Sequence, residues 1–205
     1  MLNVPLLPHT LEGMSTARTH FREALSLLSN LIEDKAFISS VDSASKVLSS
    51  CLQSGGKILS CGNGGSMSDA MHFAEELSGK FREDRPAYAA IALSSPAHIT
   101  CVANDYGFDK IFSRGVEALG CQGDVLLAIS TSGNSSNVLE AAHAAKSKGM
   151  KVLALTGGDG GELALLSDYE IRIPWDGYSD RVQEMHIKCI HAMIDSIERS
   201  FISFS

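Results

Sequence analysis

Asp124-Val125-Leu126-Leu127-Ala128-Ile129-Ser130-Thr131-Ser132-Gly133-Asn134-Ser135-Ser136 decides the fold. An apolar run enters a loop of hydroxyls and one glycine, and a helical pattern starts near Asn137. A short buried strand feeding a helix through such a loop is the repeating unit of a parallel α/β sheet. Working outward, Lys57–Cys61, Tyr88–Leu93, Lys151–Thr156 and Tyr169–Pro174 read as strands, joining Asp124–Ser130, with helical stretches between them. Such alternation requires right-handed crossovers and a sheet covered on both faces, which predicts a doubly wound α/β fold with five parallel strands.

The flanks are helical. Between Ser15 and Ser54 the apolar residues Phe21, Leu25, Leu28 and Ile32, then Val41, Ala44, Val47 and Leu48, recur at three and four residues, which predicts a helical hairpin. Asp180 to Ile202 carries Val182, Met185, Ile190, Met193, Ile194 and Ile197 at mostly helical spacing, with Asp180 as its N-cap. At 205 residues and 44% hydrophobic content, 1–205 reads as one domain with a full core. There is no repeat, low-complexity tract or proline-rich linker.

Composition excludes several classes. A net charge of -7 gives no basic footprint for direct nucleic-acid binding. Five scattered cysteines without a C-x-x-C pair argue against a disulfide framework and a thiolate zinc site, and fit a reducing cytoplasm. Met1 to Thr10 lacks a charged leader, and no apolar run approaches the roughly 18 residues of a membrane span. A soluble, unprocessed protein without a membrane partner is expected.

Two strand-end loops concentrate the chemistry. Gly62-Asn63-Gly64-Gly65-Ser66 opens a helix and offers backbone N–H groups and a hydroxyl to an anion. Met67 stands where a dinucleotide fingerprint needs its third glycine, and no Lys-Ser/Thr follows for a P-loop, so NAD and ATP are disfavoured. Around Ser130-Thr131-Ser132-Gly133-Asn134-Ser135-Ser136, five hydroxyls surround one helix N-terminus where an N-cap needs one. Such a loop can hold a phosphate without lysine.

Beyond the first loop, His72 and Glu76 are four apart and share a helical face, able to share a metal or a proton. Arg181-Val182-Gln183-Glu184-Met185-His186-Ile187-Lys188-Cys189-Ile190-His191 supplies further candidates. Helical geometry aligns Glu184 with His191, whereas Gln183 and His191 sit roughly 80° apart and converge only through side-chain reach. His9, His20, His98, His143 and His186 read as surface or packing residues.

The two loops resemble the signature loops of sugar isomerase (SIS) domains, which implies an SIS-type sheet and a phosphosugar ligand. The runs His72 to Leu77 and Gln183 to His191 resemble the heptose-phosphate isomerases of that family. That resemblance implies a metal, typically zinc and one per subunit, on His72, Glu76, Gln183 and His191. It also implies substrate contacts at Asn63, Gly64, Gly65, Ser66, Glu76, Ser130, Thr131, Ser132, Ser135 and Gln183, and at Asn104 and Asp105 in Ala103-Asn104-Asp105-Tyr106-Gly107. Met67, Ser68, Met71 and the stretch Ser94 to Thr100 depart from the family pattern without removing a proposed ligand or base. Aldose–ketose isomerisation needs a base to move a proton between two carbons and an acid or metal to steady the oxygens. Glu76 fits the base and His191 the acid. The resemblance further implies sedoheptulose 7-phosphate as substrate, a product that feeds lipopolysaccharide heptose synthesis, and a homotetramer with sites at subunit interfaces. The rival is a non-catalytic SIS regulator that binds the bacterial replication initiator, whose kind lacks a glutamate matching Glu76. A sugar-phosphate sensor fused to a helix-turn-helix ranks last, because no basic recognition helix precedes the first strand.

Overall fold

The five apolar runs become one parallel sheet in the computed structural model, which describes residues 15–202. Strands β1 (Ile58–Gly62), β2 (Ala90–Ala92), β3 (Val125–Ser130), β4 (Lys151–Gly157) and β5 (Tyr169–Ile173) lie in the order β2-β1-β3-β4-β5. The helices are α1 (Thr16–Glu33), α2 (Lys35–Gln53), α3 (Gly65–Ser78), α4 (Pro96–Tyr106), α5 (Ser113–Leu119), α6 (Ser136–Ser147), α7 (Gly161–Leu166) and α8 (Ser179–Ile202).

Strand side chains alternate between faces, so each strand feeds two cores. Val125, Leu127 and Ile129 of β3 pack with Leu48, Phe73, Leu77 and Ile190 from α2, α3 and α8. Leu126 and Ala128 pack with Val102, Val116, Val138 and Leu163 from α4 to α7. Thus α3, which follows β1, covers one face, and α6, which follows β3, covers the other. Winding reverses between these adjacent strands, and in open parallel sheets the crevice at such a switch point is where ligands bind. Both Gly/Ser loops border that crevice.

Two expectations are corrected. The second strand spans only Ala90–Ala92, because β2 is an edge strand paired to β1 alone and the Tyr88 N–H goes to the Leu77 carbonyl of α3 at 3.0 Å. Asp180 lies inside the first turn of α8, which begins at Ser179, and its carboxylate accepts from the Arg181 N–H at 2.8 Å. The hairpin is present, broken at Asp34, whose carboxylate caps α2 through Ala36 N and Phe37 N. Of the α1 stripe, Leu28 packs against the core. Leu27 and Leu31 are buried, whereas Phe21, Leu25 and Ile32 are 77%, 64% and 58% exposed. No helix among the described residues is long and apolar enough to cross a membrane.

Candidate active site

The first loop is shaped by close approaches. A Cβ on Gly62 would stand 2.7 Å from the Ser66 carbonyl oxygen, and Gly64 has φ +55°, a conformation that favours glycine. The chain thereby turns from β1 into α3 within two residues and buries Ser66. First-turn N–H groups of a helix have no intrahelical acceptor; the Ser66 N–H is taken by the Asn63 carbonyl at 3.0 Å, which leaves those of Gly64 and Gly65 as the donors at the crevice.

The second loop is anchored on its outer side. Gly133 has φ +65°, and a Cβ there would run into the Gly160 carbonyl. Its own carbonyl accepts from Leu163 N at 2.9 Å, and the Asn134 side-chain oxygen accepts from Glu162 N at 3.0 Å. Ser132 Oγ accepts from Asn134 N. Ser135, at the N-cap of α6, makes no side-chain cap bond; its hydroxyl lies 3.1 Å from that of Ser130. The hydroxyl cluster is therefore not consumed by capping.

A reciprocal amide pair ties the two loops. Asn63 Nδ2 donates to Asn137 Oδ1 at 2.8 Å, and Asn137 Nδ2 donates to Asn63 Oδ1 at 2.9 Å. Asn137 is 2% exposed. Asn63 was expected to touch substrate; here its side-chain amide is paired with Asn137. Sequence reading missed Asn137, which looks like an ordinary first-turn residue, and its partner lies 74 positions away.

One stripe of α3 carries Gly65, Asp69, His72 and Glu76 toward α8. His72 Nδ1 lies 3.1 Å from Glu75 Oε1; a carboxylate only accepts, so Nδ1 carries the proton and Nε2 a lone pair. That Nε2 faces His191 Nε2 at 2.9 Å and Glu76 Oε1 at 3.4 Å. Two ligands about 2.1 Å from a tetrahedral zinc stand about 3.4 Å apart, which the His72–Glu76 pair matches, while the two imidazole nitrogens stand closer than that. Glu75 also falls in the acidic group with His72 and Glu76, all within 4.8 Å, and serves better as the carboxylate that orients His72. Burial, then neighbouring His72, lowers the His191 pKa, opposed by Glu76. Burial pushes the Asp69 carboxyl up to about 6, and its Oδ2 finds no partner among the described residues.

The other expected residues lie apart from this trio. The Gln183 side chain packs on Gly65, where a Cβ would stand 2.5 Å from its Oε1, and eight residues of α8 place it about 12 Å along the axis from His191. It would have to leave Gly65 to join the donors. Because Gly65 meets Gln183 and His72 meets His191, α3 and α8 run in the same direction. Glu184 instead pairs with the buried Arg181. Asn104 and Asp105 sit exposed at the end of α4, with Asn104 Nδ2 donating to Asp105 Oδ1 at 2.7 Å. His186 is fully buried, bonded to the Thr156 carbonyl, and held neutral by burial with a pKa of about 4. His20 meets Arg181, His98 meets the Ile111 carbonyl, His143 is exposed, and His9 lies outside the described residues.

Comparison with known proteins bears on the family and the fold. The SIS domain model matches residues 19–157. A phosphoheptose isomerase of Pectobacterium atrosepticum is 57% identical, over 89% of this chain and 94% of its own. Two solved phosphoheptose isomerases share the fold. One from Neisseria gonorrhoeae has TM-score 0.83 and 43% identity, over 89% of this chain and 97% of its own. One from Francisella tularensis has TM-score 0.85 and 39% identity, over 91% and 100%.

Proposed function

The chain belongs to the SIS domain family, and on that premise we propose that it is a phosphoheptose isomerase, an enzyme converting sedoheptulose 7-phosphate to D-glycero-D-manno-heptose 7-phosphate. Its product would enter heptose synthesis for lipopolysaccharide. The regulator alternative has no support from these relatives, and Glu76 is present.

The observation that carries the site reading is the meeting of Glu76, His72 and His191 beside the phosphate-type loops of a switch-point crevice. The phosphate would lie among Ser130, Thr131, Ser132 and Ser135, the N–H groups of Gly64 and Gly65 and the Ser66 hydroxyl, and only anchors. Glu76 removes a proton from C1 of the ketose as electrons form the C1–C2 double bond. His191 protonates the C2 oxygen, opening the route through an enediol. The O1 hydroxyl then gives its proton back to His191 as Glu76 returns the carbon proton to C2, yielding the aldehyde with no net change in protons or electrons. Zinc held by His72, Glu76 and His191, with Gln183 as the further expected ligand, would supply positive charge to oxygens that become anionic. Having two oxygens, Glu76 can face a cation with one and take the proton with the other.

The outward apolar residues Phe21, Leu25 and Ile32 support self-association, as the proposed homotetramer requires, since such patches mark association surfaces. Asn104 and Asp105 would then complete a site at a subunit interface. All five cysteines are unpaired, which suits the cytoplasm.

Glu76→Gln tests the assignment, since glutamine keeps the volume but cannot accept the carbon proton. A folded variant should bind the phosphosugar yet lose turnover and exchange of the C1 hydrogen with deuterated water. Wild-type exchange in that variant would refute the mechanism, and wild-type protein inert toward sedoheptulose 7-phosphate would refute the function. Metal analysis should find about one zinc per chain; none after zinc addition would remove the metal.

A further inference from the structure

We propose that Arg85 is a positioning residue for the isomerisation, one buried guanidinium that fixes the helix carrying His72 and Glu76 against the helix carrying His191. This rests on the site reading above and adds to it a residue outside both loops and the donor cluster.

The end of α3 leaves last-turn carbonyls without intrahelical donors and carries the negative end of the helix dipole. Arg85 meets both needs. Its Nη2 donates to the carbonyl of Glu76 at 2.6 Å, so it grips the backbone of the proposed base itself. Its Nη1 donates to Leu77 O at 2.8 Å and to Gly79 O and Pro86 O at 3.2 Å. The remaining edge faces α8, where Nε donates to Glu198 Oε1 at 2.7 Å. Only 9% and 10% of these two side chains is exposed, and Arg85 stacks on Tyr88 with its guanidinium carbon 4.4 Å from the ring centroid.

Glu198 is seven residues beyond His191, two helical turns, and so occupies the same face of α8. The segment bearing Arg85 lies along that face. Phe81 packs on the His191 ring with centroids 5.6 Å apart, and Arg82 donates to Asp195 at 2.8 Å. Arg85 follows at Glu198, and Tyr88 stacks on Phe201 at 4.5 Å. Of these links, only Arg85 holds both helices through hydrogen bonds made by its one planar group. The rigid fork of arginine can serve several carbonyls and a carboxylate at once, and a lysine cannot reproduce it.

The test compares Arg85→Ala, Arg85→Lys, Glu198→Ala and Glu198→Gln with the wild type. Readouts are kcat and KM for sedoheptulose 7-phosphate, zinc affinity by competition with a chromogenic chelator, and melting temperature. Misplacement of one reacting group by about 1 Å costs on the order of 100-fold, so Arg85→Ala should lower kcat by about that factor, while KM, set by the distant phosphate loops, changes less than about threefold. Zinc affinity should fall about tenfold or more. Arg85→Lys should rescue little, and Glu198→Gln, which keeps an acceptor oxygen, most of it. Glu198→Ala leaves the α3 carbonyls capped and cuts only the tie to α8, so it serves if Arg85→Ala does not fold. Wild-type kcat and zinc affinity in a folded Arg85→Ala or Glu198→Ala protein, with only a lowered melting temperature, would overturn the proposal. An active Glu76→Gln enzyme would instead overturn the site reading, whatever Arg85 does.

Discussion

The amide pair between Asn63 and Asn137 makes a quantitative prediction. Two neutral hydrogen bonds contribute about 1 kcal/mol each, and a buried amide left without partners costs about 1–3 kcal/mol. Asn137→Ala strands Asn63, which is half-buried and partly reachable by water, so a loss of about 2 kcal/mol is expected. Asn63→Ala strands Asn137, which is 2% exposed, and should cost somewhat more, about 2–3 kcal/mol. The double variant removes both partners and leaves no orphan, so its loss should fall short of the sum by about 1.5–2 kcal/mol. Urea unfolding without substrate, at fixed subunit concentration and with slopes compared, measures all three. Single losses that add within about 0.5 kcal/mol would show that the amides do not act as a pair, and the tie between the loops would have to be abandoned.

Three further outcomes are expected. Replacing Ser130, Ser132 and Ser135 together with alanine should raise KM at least about tenfold with little loss of stability, because the buried Ser130 hydroxyl loses its Ser135 partner in the same step; unchanged affinity in a binding titration would move the phosphate elsewhere. Burial holds the His186 pKa near 4 against a usual 6.5, so the unfolded chain takes up a proton first as pH falls. Between those values stability should drop by up to about 1.4 kcal/mol per pH unit, and His186→Gln should flatten that slope in pH-dependent melts; identical slopes would clear His186 of the effect. Gly133→Ala, forced to φ +65° and into the Gly160 carbonyl, should destabilise by about 2 kcal/mol or more and raise KM together; a wild-type melt would mean that the loop accommodates a side chain.

The strands were legible because buried parallel strands are short apolar runs ended by glycine or hydroxyls, and four of the five lie within a residue of their expected bounds at each end. Tyr88 and Ala89 were read into β2 from composition, but an edge strand pairs on one side only: the Tyr88 N–H turns to the Leu77 carbonyl of α3, and Ala89 keeps a single bond to β1 through its carbonyl. Periodicity found α1 but not its orientation: Phe21 and Leu27 are both apolar, and only packing tells which of them faces in. The stripe of His72 and Glu76 was visible from spacing, since both lie on one helix. Their meeting with His191, 119 positions beyond His72, is tertiary, as are the grips of Asn137 and Arg85. Glu184 shows the reverse error. It aligns with His191 on the helix but is drawn to the buried charge of Arg181.

The common direction of α3 and α8 constrains how this chain can change in length. Gly65 with Gln183, His72 with His191, and the end of α3 with Glu198 advance together, like marks on two rulers laid side by side. Inserting or deleting one residue between Gln183 and His191 would turn everything beyond it by about 100°, carrying His191 and Glu198 off the shared face at once. Even seven residues, which restore the angle, would slide the marks apart by about 10 Å. Length can vary in the connection 174–178 ahead of α8, where the chain has no helical phase to keep, while within the two helices each residue also counts as a unit of distance.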